Sequence, residues 1–516
     1  MNLRTFLSPS TMEGMFSVPT LLVNFPMIVS IENTCIASVA QSEFARLILD
    51  GVEVPLPKRA QILPGFVDTH CHLIGPGMMA ERIDLRGSRS AEECVRLTGE
   101  EVRKRTSGEW VIGFGWNQEG WNDLQNFNRF ALDRVAPQNP VALYRIDTHA
   151  VWVNSAGLKA AGLEGGGKIE GGEILINERG EPTGILIDSG VKLIEGSMPE
   201  STPEQIARWY RYGVEECLRY GITEVHDMTV HPDWLEPMTR IAESGDMKIR
   251  CQVFLDGVEE RWKAVAKPTT LAPNLQTVGV KFFSDGALGS RGALLLEPYS
   301  DAPETVGVEV MSAEEIVERS REPLAAGYGI ATHAIGDGGN RLVLDAYAKL
   351  RPNYSDALLR IEHAQIVHPD DLSRFVALGV IPTVQPTHCT SDAKMAEARL
   401  GEERCTYAYG WKNLRNLGLP LLGGSDFPIE SPDPLLGLRA FTVRQTESGA
   451  WHPEQTILRE EALCAYTEWA TLGIPTTPNR GRLQPGCDAD LVVLDGDPFE
   501  EGTRVVMTVV KGRIQK

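Results

Sequence analysis

Short runs of apolar and β-branched residues recur along the chain, separated by stretches whose apolar positions keep helical spacing. The runs cover 60–67, 222–226, 249–255, 278–284, 329–333, 358–363, 380–385 and 419–425. Amphipathic stretches lie between several of them, at 203–220, 313–326, 339–350 and 369–378. Apolar strands alternating with helices imply parallel pairing through crossover connections. Eight such units predict an α/β fold, a closed (β/α)8 barrel of the TIM type.

Two regions break the rhythm. The connection at about 74–201 is too long for a plain crossover and is rich in Trp, Gly and Asn. It predicts an insert with its own structure, a lid or pocket wall near the barrel mouth. The chain ends also differ from the middle. Segments 20–31 and 46–54 are strand-like, and after residue 479 Gly and Pro punctuate further strand runs, including 505–510. Neither end can bury both faces of a sheet alone. The expectation is a small β-sandwich built from residues 1–63 and 479–516, with the barrel spanning 64–478.

Composition narrows the function classes. The formal charge of −20 is spread without a long acidic run, so phosphate-rich partners are disfavoured and nucleic acid is not expected. The nine cysteines include no Cys-x-x-Cys pair, which argues against a disulfide framework or a cysteine-rich zinc site and fits a reducing cytoplasm. The apolar run 20–31 contains Asn24 and Pro26 and is too short to span a bilayer, so no membrane association is expected. A small-molecule substrate is the expected partner, with homo-oligomerisation left open.

The sharpest local signal is Pro64-Gly-Phe-Val-Asp-Thr-His-Cys-His-Leu73. His70 and His72 stand two apart at a strand end, so they share one face and can converge on one ion, while Cys71 points the other way. His333 closes the fifth run, His363 the sixth, and Asp426 follows the eighth. Barrel proteins collect their chemistry at the C-terminal strand ends. Four histidines and an aspartate placed there point to a divalent metal centre. Zinc suits the donor set, with Mn, Fe, Ni and Co close behind. Lys281 interrupts the apolar fourth run. A buried ammonium is costly and loses its proton readily, and the neutral amine can take up CO2 as a carbamate. The plainer alternatives are a lysine that snorkels out of the strand end or pairs with Asp285.

These motifs, together with Lys281-Phe-Phe-Ser-Asp-Gly-Ala-Leu-Gly-Ser-Arg291, His333-Ala-Ile-Gly-Asp337, Ile361-Glu-His363, Gly424-Ser-Asp426 and the tail Leu483-Gln-Pro-Gly-Cys-Asp-Ala-Asp-Leu-Val-Val-Leu-Asp495, resemble the amidohydrolase superfamily. The likeness is strongest to its amidohydrolase 3 (YtcJ-like) branch, related to N-substituted formamide deformylase. The poorly matched parts are the N-terminal segment and 468–478. The resemblance implies that His70 and His72 ligate a first ion and His333 and His363 a second. It implies a carboxylated Lys281 bridging them, one or two ions per chain, and Asp426 as ligand and proton carrier. The implied activity is hydrolysis of an amide, N-formyl or N-acyl C–N bond by metal-activated hydroxide. His149, in a family-like stretch of the insert, is a candidate catalytic hydrogen-bond donor to a substrate oxygen. Asp188 and Arg291 are candidate substrate contacts, Arg291 with carboxylate pairing as its alternative. Trp116, Trp121 and Trp152 are candidate pocket walls or plain core. His226, His231, His368, His388 and His452 show no comparable placement, though His226 ends the second run and His388 is expected in a loop near the barrel mouth. Deamination on the same scaffold and a non-catalytic scaffold role are the competing functions. Lys281 disfavours the first of these and the intact ligand set the second.

Overall fold

The structure, a computed structural model, describes residues 27–118, 121–146, 149–163, 165, 167–169, 172–476 and 479–516. The part of the 20–31 run before Met27 lies outside these residues, as do 477 and 478. Two compact units emerge: Met1–Gly75 with Ile206–Lys516, and Pro76–Gln205.

The larger unit is built on eight parallel strands: β1 (Phe66–Cys71), β2 (Ile222–Val230), β3 (Arg250–Asp256), β4 (Leu275–Phe283), β5 (Gly329–Ala334), β6 (Leu359–His363), β7 (Val380–Val384) and β8 (Leu422–Gly423). Each pairs with the next in sequence, and helices such as Pro203–Arg219, Ala313–Ala325 and Asp337–Leu350 form crossovers. The sheet curls until its ends meet. Thr69 Oγ1 on β1 donates to Gly423 O on β8 (2.9 Å), Asp426 N to His70 O (2.7 Å) and His72 N to Phe427 O (2.9 Å). The result is a nearly closed TIM-type barrel. Its interior packs Met228, Phe254, Val278 and Ala331 into an apolar layer.

Two expected runs differ in detail. The 60–67 run is two strands. Gln61–Pro64 pairs with Leu491–Leu494, whereas Phe66 pairs with Ile222 in the barrel. Gly65 makes the switch, because its N–H bonds Asp490 O (2.9 Å) and a Cβ there would stand 2.4 Å from Thr223 Cγ2. The 419–425 run shortens to two paired residues. Pro420 has no N–H to give a ladder, and at Gly424 the backbone comes so close to β1 that a Cβ would lie 2.7 Å from His70 N.

The terminal segments of this unit form two four-stranded sheets, one from Met27–Glu32, Cys35–Gln41, Arg46–Leu49 and Val52–Val54, the other from Gln61–Pro64, Leu491–Leu494, Val505–Val510 and Arg513–Ile514. Val29, Ile31 and Leu47 of the first share one buried cluster with Ile62, Leu491 and Val493 of the second.

The smaller unit carries a seven-stranded sheet in which Val111–Trp116, Val141–Arg145, Ala150–Val153 and Pro182–Asp188 are central. Alternate residues serve opposite faces. Val141, Leu143 and Trp152 join one core, with the helix Ala91–Val102; Ala142, Tyr144, Val151 and Val153 join the other, with Ser189–Glu195. Trp116, Trp121 and Trp152 gather around Phe127, with ring centroids 4.8 to 5.6 Å from it. Trp116 and Trp152 have 1% and 0% of their surface open, and Trp116 Nε1 donates to Leu143 O (2.6 Å). Of the two readings open for them, pocket wall or plain core, they take the second, because strand alternation turns the Trp116 and Trp152 rings inward. Among the described residues no helix is long and apolar enough to cross a membrane, and all nine cysteines are free thiols.

Candidate metal centre

The strand ends of β1, β4, β5 and β6 and the turn after β8 bring His70, His72, Lys281, His333, His363 and Asp426 to the wall of one cavity of about 460 Å³. One ligand atom each from His70, His363 and Asp426 lies within 4.8 Å of the other two. His72 Nε2 is 3.3 Å and His70 Nε2 3.6 Å from Asp426 Oδ1. The His333 and His363 rings sit 4.4 Å apart, those of His70 and His363 4.8 Å. His363 (φ 72°) and Asp426 (φ 59°) hold left-handed backbone conformations. Such residues cost about 1–3 kcal/mol each and cluster at functional sites.

The partners of each ring set its tautomer. His70 Nδ1 donates to the Glu362 carboxylate (2.6 Å), His72 Nδ1 to Met228 O (3.1 Å) and His363 Nδ1 to Gln385 Oε1 (2.8 Å). His70 and His363 so leave Nε2 with a lone pair for an electrophile, while His72 Nε2 faces the Asp426 carboxylate. In His333 the pattern inverts. Its Nε2 faces Gly286 O and Asp285 Oδ1, both at 3.5 Å, which leaves Nδ1 as the basic nitrogen. Holding a ring through its second nitrogen is how metal-ligating histidines are oriented.

Electrostatics keep the donors ready. Burial and then the Lys281 charge push His70 down to about 4 and His333 to about 3. Burial followed by His333 and His70 holds His363 well below its ordinary value. These imidazoles are neutral at physiological pH, the form that binds a metal. Burial alone would raise Asp426, but the His72 hydrogen bond, with the charges that His70 and His363 take on once protonated in acid, outweighs it and keeps the carboxyl well below its usual range. His72 shows the reciprocal effect. Burial lowers it, the Asp426 bond and the Asp426 and Asp227 charges win, and the net shift is upward.

Lys281 is 1% exposed, and its Nζ has no hydrogen-bond partner. It neither snorkels out nor pairs with Asp285. That carboxylate instead accepts from the backbone N–H groups of Leu294, Ile335 and Gly336 (2.8–3.0 Å), holding the loop after β5. Burial brings the ammonium down to about 8. An orphaned amine among neutral imidazoles and a carboxylate fits a divalent ion, or a pair of them with a carbamate between.

Glu362, Arg360, Gln385 and Asp68 carry roles that sequence patterns did not show. Arg360, fully buried, donates to both Glu362 oxygens (2.8 and 3.0 Å) and to Thr69 O, and so braces the carboxylate behind His70. Asp68 accepts from Ser425 Oγ (2.5 Å) and from the N–H groups of His70 and Ser425 (3.1 Å each), which ties the two ligand-bearing segments together. Glu362 lies within the motif that flagged His363, yet its partner His70 is 292 positions away and invisible to local pattern.

The other expected site residues have partners of their own. His149 and Asp188 belong to the smaller unit, where both side chains are about half exposed and His149 Nδ1 meets Asp188 Oδ1 at 2.9 Å. Arg291 takes its alternative role, a two-pronged pair with Asp301 (3.1 and 2.8 Å).

A barrel with imidazoles and a carboxylate converging at its C-terminal rim defines the class of metal-site barrel hydrolases. The chain belongs to the amidohydrolase family, whose model matches residues 60–515. It is 35% identical over 451 residues to the putative amidohydrolase YtcJ of Bacillus subtilis (strain 168), covering 85% of each chain. It is 26% identical over 476 residues to N-substituted formamide deformylase of Arthrobacter pascens, covering 87% of each. Among solved structures, an uncharacterized metal-dependent hydrolase from Pyrococcus horikoshii OT3 is 26% identical with a TM-score of 0.77, covering 96% of this chain and 99% of that one.

Proposed function

We propose that this protein is a metal-dependent amidohydrolase that cleaves the C–N bond of a small-molecule amide of the N-formyl or N-acyl type. One observation carries the reading: an unpartnered buried lysine amine lies in a cavity whose other polar walls are oriented imidazoles and an ionised aspartate. His70, His72, His333, His363 and Asp426 would hold the metal, with zinc the best match to the donors. Lys281, as its carbamate, would bridge two ions. When bound, a divalent ion there supplies a Lewis acid and lowers the pKa of adjacent water from about 15.7 toward 7.

The chain's own groups do the rest. Asp426 Oδ1 is held ionised, so it takes a proton from the attacking water and hands it to the departing nitrogen, base and then acid. Glu362 through His70, and Gln385 through His363, fix ring directions so that no rotamer search precedes reaction. Phe283, Leu288 and Ile335 line the cavity with apolar surface and limit water around the scissile bond. The two terminal sheets, sharing one core, are read as the layers of a β-sandwich that closes the flank of the barrel.

A screen of N-formyl and N-acyl amines with zinc- or manganese-loaded protein tests the reading. Amine and carboxylate should appear in equal amounts, and Asp426→Asn should abolish turnover while retaining the fold. Ammonia release from amidine-type rings with no amide turnover would favour the deaminase instead.

A further inference from the structure

Beyond the ligand side chains, the cavity's remaining charged lining is acidic. The helix Pro386–Cys405 follows β7 and presents His388, Asp392 and Met395, positions spaced by four and three and therefore on one face. Glu430, four residues past Asp426, lines the same cavity. Asp392 Oδ2 accepts from the Tyr409 hydroxyl (2.8 Å) and more weakly from Gln365 Nε2 (3.4 Å), so the carboxylate is fixed in direction. Its Oδ1 takes no hydrogen bond among the described residues, and neither Asp392 nor Glu430 has a Lys or Arg partner among them. Lys281 is the one lysine of the lining, which contains no arginine. Burial raises the Asp392 carboxyl, opposed by His388 and Tyr409 and reinforced by Glu430. A half-buried carboxylate that lines a substrate cavity, with one oxygen free of hydrogen bonds and no Lys or Arg partner among the described residues, is an incomplete ion pair.

We propose that Asp392, assisted by Glu430, selects amides that carry a protonated nitrogen away from the scissile bond, such as N-formyl or N-acyl derivatives of diamines. This rests on the cavity being an amide-hydrolysing site and adds the class of substrate. The ammonium completes the Asp392 pair through Oδ1. Ile335, Met395 and Ile429 in the lining suit the methylene chain between the two ends. A substrate with a terminal carboxylate meets two like charges, which counts against it.

Three matched four-carbon formamides test this: N-formyl-1,4-diaminobutane, N-formylbutylamine and N-formyl-4-aminobutanoate, which end in ammonium, methyl and carboxylate. Formate release is measured with metal-loaded wild type and Asp392→Asn, and binding of the same compounds by calorimetry. Wild type should favour the ammonium compound over the methyl one by at least about tenfold in kcat/KM and in affinity, with the carboxylate compound last. Asp392→Asn should shrink the first ratio to within about twofold. Preference for the methyl or carboxylate compound, or a ratio that survives Asp392→Asn, overturns the proposal. Hydrolysis of all three with equal efficiency sinks the selectivity and keeps the amide reading. Tightest binding of the ammonium compound with hydrolysis of none does the reverse.

Discussion

Replacing Glu362 with Gln isolates the support behind the metal ligands. The carboxylate accepts three N–H groups: His70 Nδ1 at 2.6 Å, Arg360 Nε at 2.8 Å and Arg360 Nη2 at 3.0 Å. An amide nitrogen placed at Oε1 meets Arg360 Nε, and placed at Oε2 meets both His70 Nδ1 and Arg360 Nη2. Either way a donor faces a donor. One charge-assisted bond lost costs about 1.5–3 kcal/mol, and Arg360, fully buried, loses its counter-charge, which costs about 3–5 kcal/mol of stability. A ligand histidine that loses its outer partner typically weakens metal affinity about 10–100-fold, or about 1.4–2.7 kcal/mol. Chelator-competition titration gives the affinity, and urea unfolding of metal-stripped protein gives the stability. A folded Glu362→Gln variant whose metal affinity stays within about twofold of wild type would refute the reasoning.

Three further outcomes are expected. Lys281→Ala should lower metal content, with partial recovery in added short carboxylic acids that replace the carbamate; undiminished metal would exclude a bridge. Trp152→Ala, in the core of the smaller unit, should cost about 3–5 kcal/mol by denaturant unfolding, and a loss under about 1 kcal/mol would contradict its packing role. Glu224, buried on β2, would be raised by burial, but the Arg480 and His226 interactions hold it well below the carboxylate range. Its contribution is therefore complete above the unfolded value of about 4.3 and fades as pH falls below it. Glu224→Gln should cost about 3–5 kcal/mol near pH 7, and the gap to wild type should narrow at acid pH; a gap that is constant across that range counts against the assignment.

The barrel was legible because parallel strands, buried on both faces, write long apolar runs, and because His70, His72, His333, His363 and Asp426 each terminate such a run or follow it. What stayed hidden depends on contacts across the barrel. Glu362 behind His70 and Gln385 behind His363 join different strands, so no spacing announces them. The Gly65 switch was missed because 60–67, Gln61 apart, reads as one apolar run, and only its two different partners divide it. His388, expected in a loop near the mouth, stands on the helix Pro386–Cys405 and lines the cavity; Asp392 gave no signal, since a helix face turned toward a cavity is polar just as a solvent face is. For the tryptophans the sequence left pocket wall and plain core both open, and only the sheet of the smaller unit, which buries them, decides between the two.

Anomalous diffraction at the metal edge, from crystals of zinc-loaded protein, tests the central claim most directly. The account predicts density bounded by Nε2 of His70 and His363 and a carboxylate oxygen of Asp426, with His72, His333 and a lengthened Lys281 side chain completing the coordination. An ion held by other residues, or these side chains free of metal in catalytically competent crystals, would contradict it.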